Sequence, residues 1–450
     1  MQMPEEAVAD WLTPVAQGAV DGAVRLPGSK SMTNRALVLA ALADAPATIV
    51  GPLQARDTEL MMAAITALGA DVATSRADAG DGLAADQPVW TVRPGWRSGQ
   101  VRVDVGNAGT VLRFVPPAAA LAAADVEFTG DPRVRERPVA ELLAGLRQAG
   151  VEISDNGRGA VPFLLHGRGR VPGGTVTLDA SNSSQLVSGL MLAAPRYEQG
   201  LQICHRGGRV PSAQHIAMTA AMLTAAGADV EATSTEPGDG VPDRWRIRPG
   251  RLSPGTVTIE PDVSNAAPFL AAALVTSGRL LLRGWPAVSL QPTQQILDVL
   301  GQLGASCWHD ADGLHVEGTS RISGIRADLR DINELAPVLT AVAALADSPS
   351  ELTGIGHMRL HESDRLAALV AEIGALGGDV TELPDGLAVR PRPLRAGPAP
   401  FHSHDDHRLV MAGAVLGLLV PGLRIRNAGT VGKTFPEFRA RWLQMLGQAP

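Results

Sequence analysis

Aromatic residues are scarce in this chain of 450: they make up 3% of it, with a single tyrosine. A core of large rings is therefore excluded, and the 45% of residues that are hydrophobic must pack mainly through Ala, Val, Leu and Ile. Cysteine is nearly absent. Cys204 and Cys307 are too few for a disulfide framework or a thiolate metal centre, which fits a reducing compartment. A basic excess is missing too, and the formal charge of −7 argues against a nucleic-acid surface. The strongly apolar run from Leu409 to Leu423 spans 15 residues and contains Pro421, whereas a membrane span needs about 20. Met1 to Asp10 is acidic and lacks the basic-then-apolar order of a secretory signal. These absences lead to the expectation of a soluble, cytoplasmic protein that engages neither nucleic acid nor membrane.

What the chain has in quantity is glycine and proline, 49 and 33 residues, enough for many turns but without the period of a fibrous repeat. The length suggests two to three domains or an internally repeated fold. A repeat is present. An apolar helix end followed by Gly, a small residue and a β-branched residue recurs at Gly69, Gly150, Gly227, Gly304 and Gly377, with a truncated copy at Gly447. The spacings run from 81 down to 70 residues, and each copy reads as a helix stopped by a left-handed glycine before a strand.

A second element alternates with the first: a short strand, a polar turn and a long Ala-rich helix, apolar nearly all round and therefore buried. Its copies start at Leu26, Val103, Leu178, Ile259, Leu329 and His402. Strand, buried helix, strand, outer helix and strand then follow in each unit. The pattern breaks around Gly250 and Pro254-Gly255, which divides the six units into two groups of three.

The polar turns all precede buried helices, so gathered helix starts would aim N–H groups and positive dipole ends at anions. Pro27-Gly-Ser-Lys-Ser31 with Arg35 supplies two cations and two hydroxyls at such a start. It is not a nucleotide phosphate loop, because Val24 and Ser29 occupy that motif's glycine positions. Gly106-Asn-Ala-Gly-Thr110 and Ser181 to Gln185 supply further turn donors, although each alone also reads as an ordinary cap. Met358 to Arg365 packs two Arg, a His, a Glu and an Asp into eight residues, with His361 and Arg365 four apart as on one helical face. A surface salt-bridge cluster is the plainer account of that segment. His404-Asp405-Asp406-His407-Arg408 has metal-ligand types on adjacent residues, but a helix start with an anion-facing Arg suits the repeat better.

Taken in order, Pro27-Gly-Ser-Lys-Ser31, Gly106-Asn-Ala-Gly-Thr110, Arg137-Pro138, Ser183-Ser-Gln185, Arg359 to Arg365, Asp406-His-Arg408 and Lys433-Thr-Phe-Pro436 make the chain similar to the enolpyruvyl transferases. Within that family it resembles the 5-enolpyruvylshikimate-3-phosphate synthases, over about residues 15 to 447. The resemblance implies a two-lobed inside-out α/β barrel of six βαβαββ repeats, three per lobe. Residues 1–29 with 256–450 would form one lobe and 30–255 the other, hinged near 27–30 and 251–261. It implies a monomer that needs no metal or organic cofactor and transfers enolpyruvyl from phosphoenolpyruvate to the 5-hydroxyl of shikimate 3-phosphate, a step towards chorismate and aromatic amino acids.

By the same resemblance, Lys30, Ser31, Arg35, Ser183, Ser184, Gln185 and Ser212 would hold shikimate 3-phosphate, completed by Glu334 and His361. Lys30, Gly109, Arg137, Gln185, Arg365, Arg408 and Lys433 would hold phosphoenolpyruvate. Glu334 is the candidate base and Glu362 the candidate proton donor, with Lys30 close by. Two positions depart from the family's usual pattern, which often has Asp at Glu334 and Lys at His361. Related readings are a transferase acting on UDP-N-acetylglucosamine, whose mobile-loop Cys has no counterpart between Arg133 and Arg137, and a non-catalytic binder of phosphorylated metabolites.

Overall fold

A computed structural model of the chain describes residues 10–77, 86–235 and 241–448. The chain divides into two compact units, one formed by 28–260 and the other by 1–27 with 261–450. Each has its own apolar core.

The 28–260 unit contains helices α1 (Lys30–Ala41), α2 (Arg56–Leu68), α3 (Gly109–Ala119), α4 (Ala140–Gln148), α5 (Ser184–Ala193) and α6 (Ala213–Ala225). In α1, α3 and α5 nearly every residue is buried, and these three pack against one another. By contrast α2, α4 and α6 bury one face only. Among the described residues three four-stranded sheets complete the unit, so helices fill its interior and strands lie outside. The small side chains that replace rings permit this, since Ala and Gly let helix backbones approach closely. Gly189 of α5 sits against the carbonyl of Arg113 in α3, where any Cβ would collide. That carbonyl cannot receive the usual helical bond from residue 117, which is proline.

The second unit repeats the plan with α7 (Val263–Val275), α8 (Thr293–Leu303), α9 (Ala336–Ala344), α10 (Arg365–Ala375), α11 (His407–Gly417) and α12 (Phe438–Met445). Here α7, α9 and α11 are the buried, mutually packed helices. Equivalent small apolar cavities lie between α1, α2 and α3 beside Val38, Ile65 and Val115, and between α7, α8 and α9 beside Leu270, Ile296 and Val338. Five of the few rings cluster in this unit: Phe269, Phe435, Phe438, Trp442 and Trp11 make edge and stacked contacts that fasten α12 and the first strand to α7.

All six repeat glycines have the positive φ expected of helix stops, from 67° to 121°. The repeat holds one strand more than composition and turns revealed. In the first sheet, Thr256–Thr258 runs parallel to Ala47–Val50, which pairs antiparallel with Pro88–Arg93, which pairs antiparallel with Asp71–Arg76. The same order of parallel, antiparallel, antiparallel recurs in four further sheets.

The first strands of two repeats are exchanged. Asp21–Val24 precedes α1 but pairs with Arg279–Arg283, while Thr256–Thr258 precedes α7 but pairs with Ala47–Val50. The divisions set above at 29/30 and 255/256 therefore move to 27/28 and 260/261. Trp11–Leu12 likewise pairs with Arg424–Arg426, completing the three-stranded sheet of the truncated sixth repeat. None of the helices among the described residues is long and apolar enough to cross a membrane.

Candidate active site

In the 28–260 unit the buried helices begin side by side. Asn34 of α1 donates to the Thr110 hydroxyl of α3 at 2.6 Å, and Arg113 of α3 donates to Gln185 Oε1 of α5 at 2.9 Å. Ser29 caps α1 by accepting from the amide of Met32, and Ser183 caps α5 by accepting from Gln185. Lys30 opens α1 and pairs with the buried carboxylate of Asp57 at 3.2 Å. Ser184 opens α5 and is itself buried.

Arg35 is enclosed completely. Its guanidinium donates to Thr219, the Ser31 carbonyl, Ser188 and the His215 carbonyl, and lies over the Phe114 ring at 4.9 Å. All four acceptors are neutral, and burial lowers its pKa to about 9. Arg35 thus ties α1, α5 and α6 together, and with them Ser31 and Ser212, since Ser212 accepts from the amide of His215.

Gly109 is the first residue of α3. A Cβ there would stand 2.7 Å from Arg137 Nη2 and 2.8 Å from Arg113 Nη1, so the missing side chain makes room for two guanidinium groups. Arg137 donates to the Asn107 carbonyl at 2.9 Å. Arg113 was not among the residues expected at this site. It lies one helical turn after Gly109 and donates to the Pro138 carbonyl as well as to Gln185; the i, i+4 spacing allows it to reach Gly109, but partners this distant in sequence leave no local signal.

The second unit also assembles the starts of its buried helices. Arg408 of α11 donates to Asn265 of α7 and to Glu334, just before α9, both at 3.3 Å. Asp406 caps α11 by accepting from the Arg408 amide and grips Arg365 with both oxygens, at 2.7 and 3.2 Å. Arg365 is fully buried and donates also to Glu334 at 3.2 Å and Glu362 at 3.0 Å. Burial opposes its charge, but Asp406, Glu334 and Glu362 outweigh that cost and hold it firmly protonated. Lys433 lies 3.4 Å from the other oxygen of Glu362.

His361 does not share a helical face with Arg365 as the spacing suggested. It follows a short 3₁₀ turn, Gly356–Leu360, and Arg365 opens α10 after Asp364. The intervening turn still places His361 Nδ1 3.1 Å from Arg365 Nη1. Burial, aided by the Arg365 charge, pulls the histidine down to about 3 against the opposing pull of Glu334 and Glu362. Burial alone would raise Glu334, yet Arg365 and Arg408 hold its carboxyl well below the usual range. A neutral imidazole beside an ionised carboxylate is the result. Among the described residues no cluster of His, Cys, Asp and Glu is arranged to hold a metal ion.

Residues 15–442 match the family model for EPSP synthase (3-phosphoshikimate 1-carboxyvinyltransferase). The chain belongs to the EPSP synthase family. Two solved structures of EPSP synthase from Acinetobacter baumannii share its fold, each at 22% identity: one with a TM-score of 0.76 over 98% of both chains, the other with 0.74 over 95% of this chain and 96% of that one. The enolpyruvyl transferase NikO from Streptomyces tendae is similar as well, with a TM-score of 0.73 and 17% identity over 97% of this chain and 98% of its own. The EPSP synthase family's fold thus serves more than one enolpyruvyl transferase, and the acceptor must be argued from the residues.

Proposed function

We propose that this enzyme transfers the enolpyruvyl group of phosphoenolpyruvate to the 5-hydroxyl of shikimate 3-phosphate, releasing phosphate, with the residues of the two clusters as its binding and catalytic groups. The observation that carries the reading is the composition of those clusters. One offers Lys30, Arg113, Arg137 and serine hydroxyls at adjacent helix starts, which suits phosphate and carboxylate groups. The other offers an ionised carboxylate, Glu334, beside Glu362, Arg365, Arg408 and Lys433.

The acceptor oxygen adds to C2 of phosphoenolpyruvate as its proton passes to Glu334, and C3 takes up a proton to become a methyl group. Glu362 or Lys30 supplies that proton. The tetrahedral product then loses phosphate from C2 and a proton from the methyl group, restoring the double bond. Arg137, Arg365, Arg408 and Lys433 stabilise the carboxylate and the departing phosphate. Arg365 and Arg408 already neutralise Glu334 in the chain alone, so a substrate anion arriving there competes with that carboxylate and frees it to accept a proton.

Phosphate release should require phosphoenolpyruvate and shikimate 3-phosphate together, with the enol ether as co-product by mass spectrometry. Release that depends instead on UDP-N-acetylglucosamine would reassign the acceptor, and binding of both substrates without release would identify a binding protein. Gly109 gives a sharper test. A compact phosphonate such as glyphosate should compete with phosphoenolpyruvate, and G109A should weaken that inhibition at least tenfold by displacing Arg113 and Arg137. Equal inhibition of the two proteins would remove Gly109 from the pocket.

A further inference from the structure

Outside the candidate active site, one sheet of the 28–260 unit places a nucleophile, a base and a carboxylate in line. Asp125, His166 and Ser154 stand on three adjacent strands, Ala123–Thr129, Phe163–His166 and Glu152–Ser154. Asp125 is directly opposite His166 in register, and Ser154 lies two residues along from Glu152, the partner of His166 on the other side. The period of two puts all three side chains on the same, outward face.

Their contacts are directional. Asp125 Oδ1 is 2.9 Å from His166 Nδ1, and Ser154 Oγ is 3.0 Å from His166 Nε2. A carboxylate accepts only, so the neutral ring carries its proton on Nδ1, and Nε2 is left as the acceptor for the serine hydroxyl. That is the order of groups in which histidine withdraws a serine proton while a carboxylate fixes the tautomer. Glu152 and Glu127 share the face but are turned to Arg168 and Arg102, so Asp125 is the carboxylate engaged with the ring.

We infer that Ser154 is an activated nucleophile with His166 as its general base and Asp125 as the orienting group, and that it accepts acyl groups from small activated esters. Ser154 Oγ adds to the ester carbonyl as its proton moves to His166 Nε2. Collapse expels the alkoxide or phenolate, which carries away the proton held on His166 Nε2, and leaves an acyl ester on Ser154; the neutral His166 then takes a proton from water as it attacks the ester, and returns that proton to Ser154 Oγ as the acid departs. The turn after Ser154 supplies no oxyanion donors from Gly157 and Gly159, because both amides are bonded to the Asp155 carboxylate. Good leaving groups are therefore required, and acylation outruns deacylation.

The test is exposure of the full chain to p-nitrophenyl acetate, followed by peptide mapping of the added acetyl group. The sequence contains only two lysines, Lys30 and Lys433, so competing amine labels are few and separable. Acetyl on Ser154 is expected, absent in S154A, and slowed on the order of 100-fold in H166N and about tenfold or more in D125N. Phosphate release with the enolpyruvyl substrates should be unchanged in S154A, which separates this inference from the reading of the other site. Acetylation confined to lysines, or equal labelling of Ser154 in H166N, would overturn it.

Discussion

Of 39 basic side chains only Lys30 and Lys433 are lysines, and both lie in the clusters described above. Arginine serves everywhere else, including the surface pairs where either cation suffices. A compact ammonium that can gain and lose a proton is thus confined to the candidate active site, which favours Lys30 as a participant in proton transfer. Glu334 is the stronger assignment. E334Q keeps size and most hydrogen bonding but cannot take a proton, so kcat should fall roughly 10²- to 10⁴-fold with a smaller change in KM for either substrate. Steady-state kinetics with unchanged kcat would end its role as base.

His361 and its neighbour His357 carry a pH consequence. Burial pulls them to about 3 and about 4, below the ordinary 6.5, so between those values the unfolded chain binds more protons than the folded one. Stability therefore falls as pH drops below about 6.5, by at most roughly 2 kcal/mol per histidine on reaching pH 5. Urea unfolding at pH 7 and pH 5 should show the loss, and H357Q/H361Q should reduce it. An equal loss in the variant would place the titration elsewhere.

At the scale of elements, the helix starts and stops were legible because each rests on local chemistry: a capping hydroxyl or carboxylate at one end, a left-handed glycine at the other. The strands Pro88–Arg93 and Arg244–Ile247 were passed over, since no such punctuation marks a strand that takes its place between two others. The site was legible as a set of residue types and less so as a network. Nothing local tells that Arg365 draws carboxylates from α10's own leader, from the turn before α9 and from the cap of α11, and Arg113 inside an apolar helix gives no sign that it turns toward Gly109. The closeness of α3 and α5 behind that network depends on Gly189. G189A should force the helices apart, destabilise the fold by about 1–3 kcal/mol, and raise KM for phosphoenolpyruvate through Arg113 and Gln185. Wild-type stability in calorimetry would show that the helices can slide without cost.

For the whole molecule, sequence order and spatial grouping disagree at one place. The 28–260 unit is continuous, whereas the other draws Trp11–Leu12 and Asp21–Val24 from the far end of the chain. A fragment of 28–260 should fold alone, with dispersed NMR amide signals. A fragment of 261–450 should not, unless residues 10–27 are joined to its end in a permuted chain. A folded 261–450 fragment would show that the two borrowed strands are dispensable.

That borrowing also sets the order of events during synthesis. The strands at 11–12 and 21–24 leave the ribosome first and find their partners last: Asp21, for example, pairs with Arg279, 258 positions later. At about 5–20 residues per second they wait on the order of tens of seconds, while the unit between them has time to complete itself. Two and four residues long, with Asp21 and Gly22 in the longer one, they are poor templates for a stray strand during that interval.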